Sequence, residues 1–241
     1  MVSRLVWLIG GKWPLAQDHL NPNHCRMTSE APTARTALHR RPERGAHGAL
    51  DLNVILDAGV ICQIGYALEG EPRVLPTVYW RAGNAVYWHG SRESRALLAM
   101  IGQEVCFTVT LLDGLVLARS AFHHSANYRS VMAFGRAQCV EDAADKLAAF
   151  RAMLDRLYPG RWASIRAPSR AEMAATHVLR LELSEASAKA RAMPPVDSKG
   201  DLAQPGWAGV IPLSMQAGEP VAAPDLRGGG APFEQPPWLA D

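Results

Sequence analysis

Cysteine is scarce in this 241-residue chain, and the four present are scattered. Cys25, Cys62, Cys106 and Cys139 form no CxxC pair, which removes the usual spacing of a structural zinc site. Three of them stand in apolar runs, where cysteine packs as a small hydrophobe. The sequence therefore predicts a reduced, cytoplasmic protein with no metal. No stretch reaches the ~18 apolar residues that a membrane helix needs, so no span is expected. A net charge of only +2 supplies no basic surface for nucleic acid. There is no GxGxxG after a strand, no Walker lysine loop and no GxSxG, so neither nucleotide fold nor a serine hydrolase is indicated. What remains is 48% hydrophobic and 20% charged, the balance of one globular domain with tails.

Both ends differ from the body. Residues 1–39 read as a disordered extension. Met27-Thr28-Ser29-Glu30-Ala31-Pro32 resembles a natural amino terminus, so residues 1–26 are expected to come from a misplaced start codon. The apolar run Leu5–Ile9 is too short for a signal peptide and lacks a cleavage site. At the other end, residues 194–241 hold nine prolines and seven glycines in 48 positions, too many for a packed core. Within that tail, Gly206-Trp207-Ala208-Gly209-Val210-Ile211-Pro212-Leu213 has the look of a segment, 206–213, that docks back on the body.

Between the tails, residues 40–193 alternate short strands with helices. Leu52, Ile55 and Leu56 have helical spacing with Gly59 as a stop. Period-two alternation follows from Val60 to Leu68, and Glu69-Gly70-Glu71-Pro72 predicts a turn. Arg73–Trp80 is a strand whose Pro76 points to an edge or a bulge. Ala85–His89 is another strand, and a helix is expected over Glu93–Ile101. Val105–Leu111 then leads into Asp113-Gly114, a hairpin signal, with Leu115–Phe122 returning from it. Tyr128–Val140 reads as one long strand. Leu147, Phe150, Leu154 and Leu157 mark a helix, Ser169-Arg170-Ala171-Glu172 a capping box, and His177–Leu183 a last strand. Six or seven short strands with tight turns imply a mainly antiparallel β-barrel flanked by helices.

Three clusters carry possible chemistry. His89-Gly90-Ser91-Arg92-Glu93-Ser94-Arg95 joins a strand end to a helix start, with hydroxyls and cations suited to a phosphate. A Ser-capped helix with solvated arginines explains it as well. His123-His124-Ser125-Ala126-Asn127-Tyr128-Arg129-Ser130 is a dense polar set before an apolar strand, either a cavity wall or a satisfied loop. In Arg73-Val74-Leu75-Pro76-Thr77, a proline-broken ladder leaves backbone groups free for a ligand, as an ordinary edge strand also does.

In order, Val86–Ser91, Ser94-Arg95, Cys106–Leu112, Asp113–Ser120 and His124–Val131 resemble the pyridoxamine 5′-phosphate oxidase-related flavoproteins, nearest the nitroimidazole-resistance branch. The resemblance covers about Arg40 to Leu213. It implies a split β-barrel homodimer with FMN in two clefts at the dimer interface, acting on a small-molecule substrate. It further implies that His89, Gly90, Ser94 and Arg95 grip the FMN phosphate. Val74, Leu75, Pro76 and Thr77 would run beside the isoalloxazine ring with Arg73 as a further cofactor-binding residue, Asn127, Arg129 and Ser130 would reach the flavin site or its neighbour across the dimer, and Trp207 would cover it. His89 is the candidate catalytic group. Where many relatives carry Arg-Lys, this chain has Arg95-Ala96, which removes one phosphate-binding cation that Arg92 or Arg73 would have to replace. The terminal Arg/His motif of the true oxidases is missing, so pyridoxamine phosphate is not the expected substrate. The alternative function is a carrier of flavin, deazaflavin or haem on the same barrel.

Overall fold

The computed structural model describes residues 33–46 and 48–227. The proposed start-codon segment lies outside them. Among the described residues there are ten strands and four α-helices: β1 (Gly45–Ala46), α1 (Ala49–Ala58), β2 (Ile61–Leu68), β3 (Glu71–Ala82), β4 (Ala85–Ser91), α2 (Arg95–Met100), β5 (Glu104–Leu117), β6 (Ser125–Arg136), β7 (Gln138–Cys139), α3 (Ala143–Leu157), α4 (Arg170–Ala174), β8 (Thr176–Glu182), β9 (Ala186–Arg191) and β10 (Gly209–Pro212). Every pairing is antiparallel, in the order β1-β9-β6-β5-β2-β3-β4-β8-β7, with β10 added to β5. The split-barrel expectation holds.

The barrel is split at β3. Its first part, Glu71–Val78, pairs with β2, whereas Tyr79–Ala82 pairs with β4. The β2–β3 turn uses Glu69 (φ 55°) and Gly70 (φ 82°), both left-handed, as a two-residue hairpin turn requires. Tyr79 donates its N–H to the Val60 carbonyl. By antiparallel alternation, residues 71, 73, 75 and 77 then face β2, while 72, 74 and 76 face the other way. Pro72 and Pro76 thus occupy positions where a missing N–H breaks no ladder bond. The edge reading of Pro76 is correct.

Inside the barrel, Trp88, Val86, Leu179, Leu181, Phe107, Val109, Ile64 and Cys62 form a core sealed by Leu52, Ile55 and Leu56 of α1 and by Leu97 and Met100 of α2. Outside the β4–β8 pair, Trp80, Val178, Val140 and Ala149 make a second core with Phe150 and Met153 of α3. The two cores occupy opposite faces of β4, because neighbouring residues in a strand point opposite ways. The C-terminal carbonyls of α1 are satisfied from afar. Arg156 of α3 donates to the carbonyls of Leu56, Asp57 and Gly59 at 2.9, 2.8 and 2.6 Å, and the Tyr79 hydroxyl donates to Leu56 at 2.6 Å. Gly59 is required there, since a Cβ would lie 2.6 Å from the Tyr79 oxygen.

Several sequence expectations fail on tertiary grounds. Asp113-Gly114 is not a hairpin: β5 runs through it to Leu117, with a bulge between Leu112 and Gly114. Arg129 clamps the Asp113 carboxylate with two hydrogen bonds of 3.0 and 2.7 Å. The bulge reverses the burial phase, so Val105, Phe107 and Val109 face inward before it and Val116 after it. The expected return strand Leu115–Phe122 dissolves accordingly, and residues 121–123 form a 3₁₀ turn. The long strand 128–140 divides into β6 and β7 beyond Gly135 (φ 153°). β9, with sequence Ala-Ser-Ala-Lys-Ala-Arg, carries no strand pattern and forms because β6 and β1 pair with it.

Candidate functional site

The open side of β3 is the first candidate. Between Pro72 and Pro76 this backbone has no partner strand, so the Val74 N–H and the carbonyls of Pro72, Val74 and Pro76 face outward. Val74 is 67% exposed. The hairpin tip carries the nearby charges. Arg73 pairs with Glu71, and Arg95, at the start of α2, stands 3.9 Å from Glu69 with both side chains largely exposed. The structure thus brings Arg95 to the hairpin that carries Arg73, Val74, Leu75, Pro76 and Thr77. Ser94 caps α2, accepting from the Leu97 N–H at 3.4 Å. Gly90 lies against Leu97, where a Cβ would approach its side chain at 3.1 Å. Ala96 packs against the barrel core.

His89 is separated from this group. Trp88 points into the barrel, so the His89 ring points out of it, under α3. Phe150 meets it edge-on at 5.6 Å and Trp80 lies 5.8 Å away. Nδ1 of His89 is buried without a hydrogen-bond partner, and burial lowers the pKa of the imidazole. The ring lines a cavity of about 460 Å³. Its apolar walls include Phe150, Met153 and Leu154 of α3 with Trp162 and Ile165, and Arg166, Glu172 and Thr176 add polar groups to the lining. Of these, Phe150 and Leu154 read in the sequence as core stripe only. Met153, on the same turn of α3, widens the apolar face that both packs on the second core and lines the cavity.

The β6 residues make hydrogen bonds within the fold. Asn127 is buried, and its carbonyl oxygen accepts from Arg191 and from the Met193 N–H. Arg129 holds Asp113, and the Ser130 hydroxyl donates to the Lys189 carbonyl at 3.2 Å. Trp207 is 58% exposed and leans on Gly209 at the start of β10. Cys62, Cys106 and Cys139 are free, and burial pushes the first and last up to about 12 and about 11, so neither is a ready nucleophile. Among the described residues no group of three His, Cys, Asp or Glu is placed to hold a metal ion, and no helix is long and apolar enough to cross a membrane.

Comparison with known proteins locates this architecture. The profile of the family described as Pyridoxamine 5′-phosphate oxidase matches residues 51–190. The flavocytochrome Anf3 from Azotobacter vinelandii is 40% identical, with a TM-score of 0.79, over 87% of this chain and 97% of that one. A FAD and heme binding protein from Mycobacterium smegmatis is 36% identical, with a TM-score of 0.74, over 81% of this chain and 95% of that one. A putative 5-nitroimidazole antibiotic resistance protein from Bacteroides thetaiotaomicron, 20% identical with a TM-score of 0.51 over 60% of this chain and 85% of that one, shares the fold. A search of curated proteins found no match. With the family profile spanning more than half of its length and two relatives above one-third identity, the chain belongs to the pyridoxamine 5′-phosphate oxidase family.

Proposed function

We propose that the protein is a flavin-binding oxidoreductase acting on a small molecule in the cytoplasm, with the flavin laid along the open side of β3. The observation that carries this reading is the unpaired backbone from Pro72 to Pro76, which offers one donor and several acceptors to the edge of a planar heterocycle. A bound flavin supplies reversible electron transfer, while the protein supplies position and electrostatics. Here Val74 donates and Pro76 accepts along the ring edge. The exposed guanidinium of Arg95 meets the phosphate. The family resemblance implies FMN, but a relative at 36% identity binds FAD, and FAD is the form we propose.

The test is the absorption spectrum of purified full-length protein after desalting, followed by chromatography of the cofactor released on heating. The expected result is a yellow protein that releases FAD. A colourless protein that retains neither FAD nor FMN overturns the flavin reading, and release of FMN overturns the choice of FAD. Reduction by NADH or NADPH, with reoxidation by an added acceptor, separates an oxidoreductase from a carrier. A second reading, in which haem accompanies flavin, is supported by the two relatives above one-third identity, one a flavocytochrome and one a FAD and heme binding protein.

The working unit we propose is a homodimer. Leu115 of β5 and its cross-strand partner Ile211 of β10 are both 43% exposed, and Leu112 is 51% exposed. An apolar group of this kind on a sheet face suits a self-complementary contact. Sedimentation velocity is expected to show a dimer, and a single 26.2 kDa species at micromolar concentration would refute it.

A further inference from the structure

We infer that the cavity between the β4–β8 pair and α3 is a haem site, with His89 as the axial ligand of the iron. The inference deepens the second reading above and is independent of where the flavin sits. It stands on the character of the cavity and of its one imidazole. Phe150, Met153, Leu154, Trp162 and Ile165 form apolar walls, which suit the faces of a planar tetrapyrrole. A volume of about 460 Å³ falls within the range of cofactor pockets. His89 enters from the sheet side, and its ring makes no hydrogen bond with any described residue.

Nδ1 is buried, so Nε2 is the nitrogen open to a ligand in the cavity, and an imidazole with no partner in an apolar wall is free to take one. Imidazole nitrogen is a standard donor to haem iron, and coordination takes its neutral form. The other described histidines are placed otherwise. His123 bonds Ser120 at 2.9 Å, His124 bonds the Ser120 carbonyl at 2.9 Å, His177 meets the Cys139 sulfur at 3.4 Å, and His39 is exposed. None of them lines this cavity.

The rim supplies the second requirement. Haem carries two propionates, which need a cation and access to water. Arg166 lines the cavity, is exposed, and binds Glu172 through two hydrogen bonds of 2.8 and 2.6 Å. A propionate presents the same bidentate carboxylate to the same guanidinium, so it substitutes for Glu172 without new machinery. Glu172 keeps its acceptor role toward the Ser169 N–H at the start of α4. This arrangement puts His89 in a cofactor site distinct from the β3 edge, rather than in the flavin phosphate cluster.

The experiment uses the full-length chain, titrated with hemin and followed through the Soret band, with iron and flavin quantified on the same sample. Wild-type protein is expected to take up one haem per chain with the spectrum of an imidazole ligand. His89→Gly is expected to lose more than about tenfold in affinity, since even loss of an outer-shell partner costs that much, and added free imidazole should restore the wild-type spectrum. Met153→Trp keeps His89 and fills the cavity, so it should block uptake with the far-UV circular dichroism unchanged. The inference is overturned by wild-type protein that binds no haem, by His89→Gly that keeps the wild-type Soret band and affinity, or by Met153→Trp that takes up haem normally. Flavin retained by His89→Gly while haem is lost supports two separate sites. Haem bound with no flavin sinks the β3 reading and leaves this one standing.

Discussion

Replacing Arg156 with methionine lowers the midpoint of thermal unfolding by about 4–12 °C. The methionine retains much of the apolar stem but removes every donor from a site where three carbonyls converge on one guanidinium nitrogen. Arg156 is 12% exposed at its side chain, so water does not readily replace it. Leaving buried acceptors unsatisfied costs ~1–3 kcal/mol each, and Leu56 retains the Tyr79 hydroxyl. Against this stands the relief of desolvating a guanidinium, the same burial that lowers its pKa. The net is about 2–3 kcal/mol, and a chain of this size shifts ~2–4 °C for each. The control is Arg151→Met on the same helix, whose exposed pair with Asp155 at 3.5 Å is worth ~0–1 kcal/mol. Equal midpoints for the two variants, read by calorimetry, would show that α1 does not depend on α3 for its C-terminal partners.

Arg95→Ala weakens flavin binding by about ten- to a hundredfold and leaves the melting temperature within a degree or two of wild type. The first half follows from losing one charge-assisted contact to phosphate, ~1.5–3 kcal/mol. The second follows from geometry. Arg95 is 77% exposed, and its pair with Glu69 is only 3.9 Å with a partner equally open to water, so it contributes little to the fold. Fluorescence titration of the apoprotein with FAD, beside a thermal melt, separates the two effects. Unchanged affinity would remove Arg95 from the cofactor site. Ala96 packs against the barrel core, so this position presents no second cation beside Arg95.

Much of the local structure was legible because its causes are local. Ser169 and Glu172 form the reciprocal cap that their spacing predicts. Glu69 and Gly70 make the expected turn, and the alternation from Ile61 to Leu68 becomes β2. Pro76 announced an edge because a residue without an N–H cannot sit in the middle of a ladder. Even the direction of the His89 side chain is implicit, since it must oppose that of Trp88.

The remainder rests on partners distant in sequence. Asp113-Gly114 has the local chemistry of a hairpin, yet β6 continues alongside β5 and Arg129 holds the aspartate, so pairing over many residues outweighs a two-residue preference. The Ala-Lys-Arg composition of β9 gives no signal of its own, and only the waiting edges of β6 and β1 make it a strand. His89 followed the same rule. The sequence by itself determined β2, the β2–β3 turn, the α4 cap and the family signature, because period, proline and glycine act within a few residues. Only the tertiary structure decided that α3 covers the outer face of β4, which places His89 in an apolar cavity away from the Arg95 hairpin. Which surface faces a side chain depends on chain-distant packing, and no spacing along the chain encodes it.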